Sequence, residues 1–239
     1  MQKKYTHIFF DLDNTLWDFG TNSRYAMESV YEQQKIEEQQ VCFSHFFEVY
    51  ERHNEQLWDL YRKKEVVKKE LTCLRFQLTF EELNITGFDA QAMNDLYLTE
   101  MPKHNFLVDG AAELVKLLKE KGYKLYIITN GFTEVQYNKL KNSGLLPYFD
   151  KVFISEAIKA PKPAREIFEY AIKSANAKKE LSLMVGDDSE VDVAGAVNFG
   201  IDAVHYNPPV LTNRKKIYSN LSSQKVFCIT QLADLIEIL

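Results

Sequence analysis

Paired cysteines, long apolar runs, low-complexity linkers, internal repeats and an excess of positive charge are all missing from this sequence. Each absence removes a class of protein. The three cysteines, Cys42, Cys73 and Cys228, lie far apart with no C-x-x-C spacing, so buried thiols in a reducing compartment are expected rather than a disulfide framework. No stretch approaches the roughly 20 apolar residues that a membrane helix needs. The opening MQKKYTHIFF holds two lysines but only a short apolar run before Asp11 and Asp13, which is not the pattern of a secretory signal. A cytoplasmic protein with no membrane partner is therefore expected. The net charge of −5 speaks against an extended nucleic-acid surface, which is usually basic. It leaves room for a small anionic substrate at a locally positive site. What the chain does have is a core: 16 Phe and 13 Tyr among 239 residues, enough for one large domain or two smaller ones.

Residues 5–10 (YTHIFF) read as a buried strand that ends at Asp11. Residues 123–129, 151–154 and 181–185 have the same short, apolar, β-rich character, and 202–206 and 225–229 read as weaker strands. Helical patterns fall between them at 111–121, 133–142, 166–174 and 192–199, with Leu114, Leu117 and Leu118 on one face of the first. Gly122 and Gly200 supply stops. Such alternation implies a parallel sheet covered on both faces, a Rossmann-like three-layer α/β core. Residues 18–104 differ. They hold no convincing strand, and Phe43, Phe46, Phe47, Tyr50, Leu57, Trp58 and Tyr61 recur at helical spacing. An all-α bundle inserted after the first strand is expected, its aromatic stripe forming a core rather than a ligand surface. The expected division is therefore 1–17 with 105–239 as the α/β core and 18–104 as the insert.

In an open parallel sheet, ligands bind beyond the carboxyl ends of the strands. Four polar clusters fall there: Asp11-Leu12-Asp13-Asn14-Thr15, Thr129-Asn130-Gly131, Lys162-Pro163, and Gly186-Asp187-Asp188 with Asp192. Several carboxylates on one edge repel unless a cation or protons intervene. Oxygen-only ligands suit Mg²⁺, with Asp11 and Asp187 as the best candidates. Asp11 is then placed to attack a phosphoryl group as a nucleophile. Asp13 can give a proton to the leaving oxygen and later take one from water, its neutral form favoured by neighbouring negative charge. Thr129 and Asn130 offer neutral donors, Gly131 allows close backbone approach, and Lys162 offers a full charge for the transferring group.

These stretches together resemble the haloacid dehalogenase-like hydrolases. FFDLDNTL looks like that family's first motif, IITNG its second, Lys162-Pro163 with Ile167-Phe168 its third, and GDDSEVD its fourth. The likeness covers residues 5–17 and about 105–207, and the insert at 18–104 is similar in place and character to the family's helical cap. The resemblance implies Asp11 as nucleophile, Asp13 as acid/base, and a metal held by the Asp11 and Asp187 side chains and the Asp13 backbone carbonyl. It implies that Asp192 acts on the metal from behind its ligands or through a water, with Asp188, at a more variable position, as a lesser candidate for the same part. The chain departs from the pattern at Lys159, where many relatives have glycine, and at Ala164-Arg165 in place of a common Asp-Pro. Lys159 is therefore an alternative phosphate-binding lysine.

Asp13 favours a phosphatase over a dehalogenase, since an alkoxide leaving group needs a proton and a halide does not. TNGFTEVQYNKLKNSGLLPYFD and ISEAIKAPKPAREIFEYA resemble the branch that contains pyrimidine nucleotidases. That resemblance implies a 5′-nucleotidase acting on a small phosphorylated metabolite. A sugar-phosphate phosphatase, a phosphosugar mutase and a non-catalytic binding protein are the alternatives. Trp17 either stacks on a base or is simply buried. A monomer or a homodimer is expected.

Overall fold

The computed structural model describes residues 4–208 and 224–239. The chain divides into two compact units, Gly20–His104 and the segments on either side of it.

The first unit is helical: α1 (Phe19–Gln33, entering from the segment before), α2 (Phe43–Arg62), α3 (Lys68–Leu83) and α4 (Ala90–Glu100). Helix α2 buries Phe46, Phe47, Tyr50 and Leu57, the spacing of one helix face. The Tyr50 ring lies 5.0 Å from Phe76 on α3 and 5.5 Å from Tyr97 on α4. The four buried residues of the aromatic stripe form the bundle's own core, and Phe43, Trp58 and Tyr61 are half-buried. Arg75 is buried inside it and donates to the amide oxygens of Asn94 at 2.6 Å and Asn54 at 3.0 Å. That satisfies most of a guanidinium that would otherwise be costly to bury.

The second unit is a six-stranded sheet with every pairing parallel: β1 (His7–Phe10), β2 (Lys124–Thr129), β3 (Lys151–Ile154), β4 (Ser182–Gly186), β5 (Asp202–Tyr206) and β6 (Val226–Ile229). Strand order is β3-β2-β1-β4-β5-β6. This is the expected Rossmann-like α/β architecture. Its helices are α5 (Ala111–Glu120), α6 (Thr133–Asn142), α7 (Ser155–Ile158), α8 (Arg165–Ser174), α9 (Gly195–Phe199) and α10 (Leu235–Ile238). Phe9, Tyr126, Ile128, Phe153 and Met184 form one face of the sheet and pack with Ile167, Phe168 and Ala171 of α8 and Phe199 of α9. Ile8, Phe10, Leu125, Ile127, Leu183 and Val185 alternate with them and are also buried, as a sheet covered on both sides requires. Burying each such side chain contributes about 1.5–3 kcal/mol.

Three local expectations change. Leu117 is exposed, and Val115 is buried with Leu114 and Leu118 instead. The segment before α9 is a wide π turn, Ser189–Ala194, with Asp192 buried within it; such turns gather at functional sites. The cysteines form no disulfide and are not buried: Cys42 and Cys228 are exposed and Cys73 is half-buried. Cys42 falls at the non-helical N-cap of α2 and Cys228 lies on the edge strand β6, where little covers them. Among the described residues, no helix is long and apolar enough to cross a membrane.

Candidate active site

Strand order reverses its direction of growth between β1 and β4, which are hydrogen-bonded neighbours. A crevice opens at such a point beyond the strands' carboxyl ends. Asp11 follows β1, and its backbone N–H donates to the Val185 carbonyl at 2.9 Å. Asp187 follows β4, and Thr129 ends β2. The topology therefore brings three of the four polar clusters to adjacent strand ends.

Lys162 brings the fourth. It is 1% exposed and all three ammonium protons are used. Nζ donates to Asp11 Oδ1 at 2.5 Å, to Asp192 Oδ1 at 2.7 Å and to the Ile128 carbonyl at 2.7 Å. Lys159, the alternative lysine, is exposed and sits at φ 59°. That left-handed backbone is where glycine is favoured. Asn130 acts on the same loop: its side chain donates to the Lys162 carbonyl at 3.0 Å and accepts from the Lys162 N–H at 2.8 Å. Its amide, expected to be a phosphate donor, is engaged in holding Lys162. Thr129 Oγ1 accepts from the Gly131 N–H at 3.2 Å and from Gln136 Nε2 at 2.6 Å. Its own proton is left to donate.

Carboxylate oxygens of Asp11, Asp187 and Asp192 lie within 4.8 Å of one another. Thr15 Oγ1 donates to Asp187 Oδ1 at 3.2 Å, and His205 Nε2 lies 3.0 Å from the Asp187 carbonyl. Asp192 accepts from Lys162 through Oδ1 and from the Asp188 N–H at 3.1 Å through Oδ2. A Cβ built on Gly186 would overlap the Asp192 carboxylate, so glycine is what lets Asp192 reach the site. The Asp188 side chain points elsewhere. It caps the following turn by accepting from the Glu190 and Val191 N–H groups, each at 2.9 Å.

Burial pushes the Asp11 carboxyl well above the usual carboxylate range; Lys162 opposes this, and Asp192, Asp187 and Asp13 add to it. Asp192 is raised as well, by burial foremost. Burial alone would lower the Lys162 ammonium, but the Asp11 and Asp192 carboxylates outweigh it and the net shift is upward. Three buried carboxylates facing one lysine leave two negative charges, which one divalent cation would match. An all-oxygen donor set of this kind suits a hard cation.

Asp13 is turned away from this cluster toward α6. Its Oδ1 accepts from Lys139 Nζ at 2.7 Å and its Oδ2 from Gln136 Nε2 at 2.8 Å. Both carboxyl oxygens are thus held by donors from α6. Any part of Asp13 in holding a metal is left to its backbone carbonyl. Trp17 is fully buried and lies 4.2 Å under the Lys139 ammonium, so burial, not base stacking, is its place. Gln136, Lys139 and His205 lie outside the polar clusters that the sequence marks, and Thr15 is marked there only as the end of the first cluster. Only the spacing of Gln136 and Lys139, one helical turn apart just after Thr129-Asn130-Gly131, could have flagged the first two.

Residues 5–200 match the family model described as haloacid dehalogenase-like hydrolase. Pyrimidine 5′-nucleotidase PynA of Streptococcus pneumoniae is 31% identical over 98% of this chain and 95% of its own length. Pyrimidine 5′-nucleotidase YjjG of Escherichia coli is 32% identical over 83% of this chain and 84% of its own. Among solved structures, the HAD-hydrolase YfnB of Bacillus subtilis bound to magnesium superimposes with a TM-score of 0.87 at 28% identity, covering 99% of each chain. The match in sequence model, relatives and structure agrees with the geometry at the strand ends: this chain belongs to the haloacid dehalogenase-like hydrolases.

Proposed function

We propose that the protein is a magnesium-dependent phosphomonoester hydrolase that works through an aspartyl-phosphate on Asp11 and acts on pyrimidine nucleoside 5′-monophosphates. One observation carries the reading: Asp11, Asp187 and Asp192 converge with Lys162 at the strand ends, where Thr129 closes the neighbouring strand β2. Asp11 and Asp187, with the Asp13 carbonyl, would hold the magnesium ion. When bound, the ion would neutralise the carboxylate cluster and screen the phosphate dianion from its attacker.

Lys162 holds Asp11 by Oδ1, which leaves Oδ2 to attack phosphorus. The new Asp11–phosphorus bond forms as the ester P–O bond breaks, and the departing oxygen takes a proton from Asp13. Water then attacks the phosphorus, gives its proton to Asp13 and releases inorganic phosphate and the Asp11 carboxylate. Lys162 and the Thr129 O–H stabilise negative charge on the transferring group. Asn130 acts through Lys162, and Asp192 through its hold on the same ammonium. Asp188 contributes the cap of its own turn.

The substrate assignment leans on the two pyrimidine 5′-nucleotidase relatives. The helical unit Gly20–His104 is proposed as the cap that selects the ester, because the core residues report only the shared chemistry. A magnesium-dependent screen of phosphomonoesters tests this directly. Pyrimidine monophosphates are expected to be hydrolysed fastest. Much faster turnover of sugar phosphates would overturn the substrate class, and an isomeric phosphate with little free phosphate would mark a mutase.

A further inference from the structure

Helix α6 carries two buried polar side chains with no part in the chemical steps above. Gln136 is fully buried, and Lys139 is 2% exposed. A buried ammonium is costly unless matched. Lys139 is matched by Asp13 Oδ1 at 2.7 Å, with the rings of Trp17 and Phe19 at 4.2 and 5.3 Å. Gln136 Nε2 bridges Asp13 Oδ2 at 2.8 Å and Thr129 Oγ1 at 2.6 Å. A Cβ on Gly131 would overlap this amide, so the glycine after Thr129-Asn130 makes its room. The backbone around Asp13 is also pinned: Asp13 and Trp17 form a bridge, and Trp17 forms another with Leu107.

We infer that Lys139 and Gln136 are positioning residues for Asp13, each fixing one carboxylate oxygen, with Gln136 also tying that placement to the Thr129 hydroxyl. An aspartate side chain otherwise turns about two torsions. Donors from one face of one helix restrict both. Proton transfer to a leaving oxygen needs hydrogen-bond reach, and misplacement by about 1 Å can cost about 100-fold. The inference rests on the proposed acid/base role of Asp13.

The test is single-turnover alcohol release from two esters, the alkyl phosphate cleaved fastest in the screen and p-nitrophenyl phosphate. The nitrophenolate leaves without a proton, so only the alkyl ester depends on a well-placed acid. Lys139→Met is expected to slow the alkyl ester by about 10- to 100-fold and p-nitrophenyl phosphate much less, with KM little changed. Lys139→Arg should restore part of the loss. Asp13→Asn, run in parallel, should show the same split. If Asp13→Asn shows no split, the acid role itself fails and the inference with it. If Asp13→Asn shows the split but Lys139→Met slows both esters equally, or neither, positioning alone is overturned. Should Lys139→Met fail to fold, Gln136→Met takes its place with the same expected and contrary outcomes.

Discussion

Replacing Lys162 by methionine removes the ammonium shared by Asp11 and Asp192 while keeping a similar stem. Three buried acceptors lose their donor at once: Asp11 Oδ1, Asp192 Oδ1 and the Ile128 carbonyl. Breaking a buried ion pair by deleting one partner costs about 3–5 kcal/mol, because the remaining charge stays buried and uncompensated. Here two carboxylates are stranded, with Asp187 close by. Their protonation absorbs part of the penalty, since burial already raises Asp11 and Asp192. A loss of about 3–5 kcal/mol at neutral pH is therefore expected, shrinking as pH falls and the stranded carboxyls take up protons. Urea unfolding of both proteins in chelator, across a range of pH, measures it. Activity should fall by about 100- to 1,000-fold, the usual effect of removing a stabilising donor from developing charge. A variant within about 1 kcal/mol of the parent at neutral pH, with no pH dependence of the difference, would refute the electrostatic account of this cluster, because a buried pair would then be contributing nothing.

Two further outcomes follow from the same geometry. In metal-free protein, Asp11 and Asp192 have folded-state pKa values raised above the unfolded one. The folded state then binds more protons than the unfolded state, so stability is full below the unfolded carboxylate pKa of about 3.9 and is lost as pH rises through the raised values. Asp11→Asn removes part of this dependence. The stability difference between parent and variant in chelator should change with pH, and a flat difference would contradict the shift. Gly186→Ala places a methyl group in the space of the Asp192 carboxylate. Overpacking of about 1–3 kcal/mol and a sharp loss of activity are expected in denaturation and turnover assays, and parent-like values in both would show that Asp192 has room to move.

The sheet was legible because its strands are short apolar runs that end abruptly at polar residues. Phe9-Phe10-Asp11 and Met184-Val185-Gly186-Asp187 mark both the end of a strand and the start of the site. Lys162 was already preferred over Lys159 on the Lys162-Pro163 stretch, and three dimensions add the physical difference, one lysine buried and the other exposed. Gln136 and Lys139 were not legible for a related reason. A glutamine and a lysine inside a helix read as solvated surface, and only the packing of α6 beside Asp13 turns them inward. The π turn at Ser189–Ala194 left no mark either: only the structure shows Asp192 reaching Lys162 and the Asp188 N–H from within it. Asn130 shows a further role that its position after β2 did not suggest: its side chain bridges the backbone of Lys162, with one Nδ2 proton and with Oδ1.

The covalent role of Asp11 is the centre of the account, and trapping the intermediate tests it most directly. Enzyme mixed with magnesium and a turned-over phosphomonoester, quenched in acid during turnover and digested, should show one added phosphoryl mass on the peptide that contains Asp11, removable by hydroxylamine and absent from Asp11→Asn. A label on another residue, or full magnesium-dependent turnover by Asp11→Asn, would contradict it.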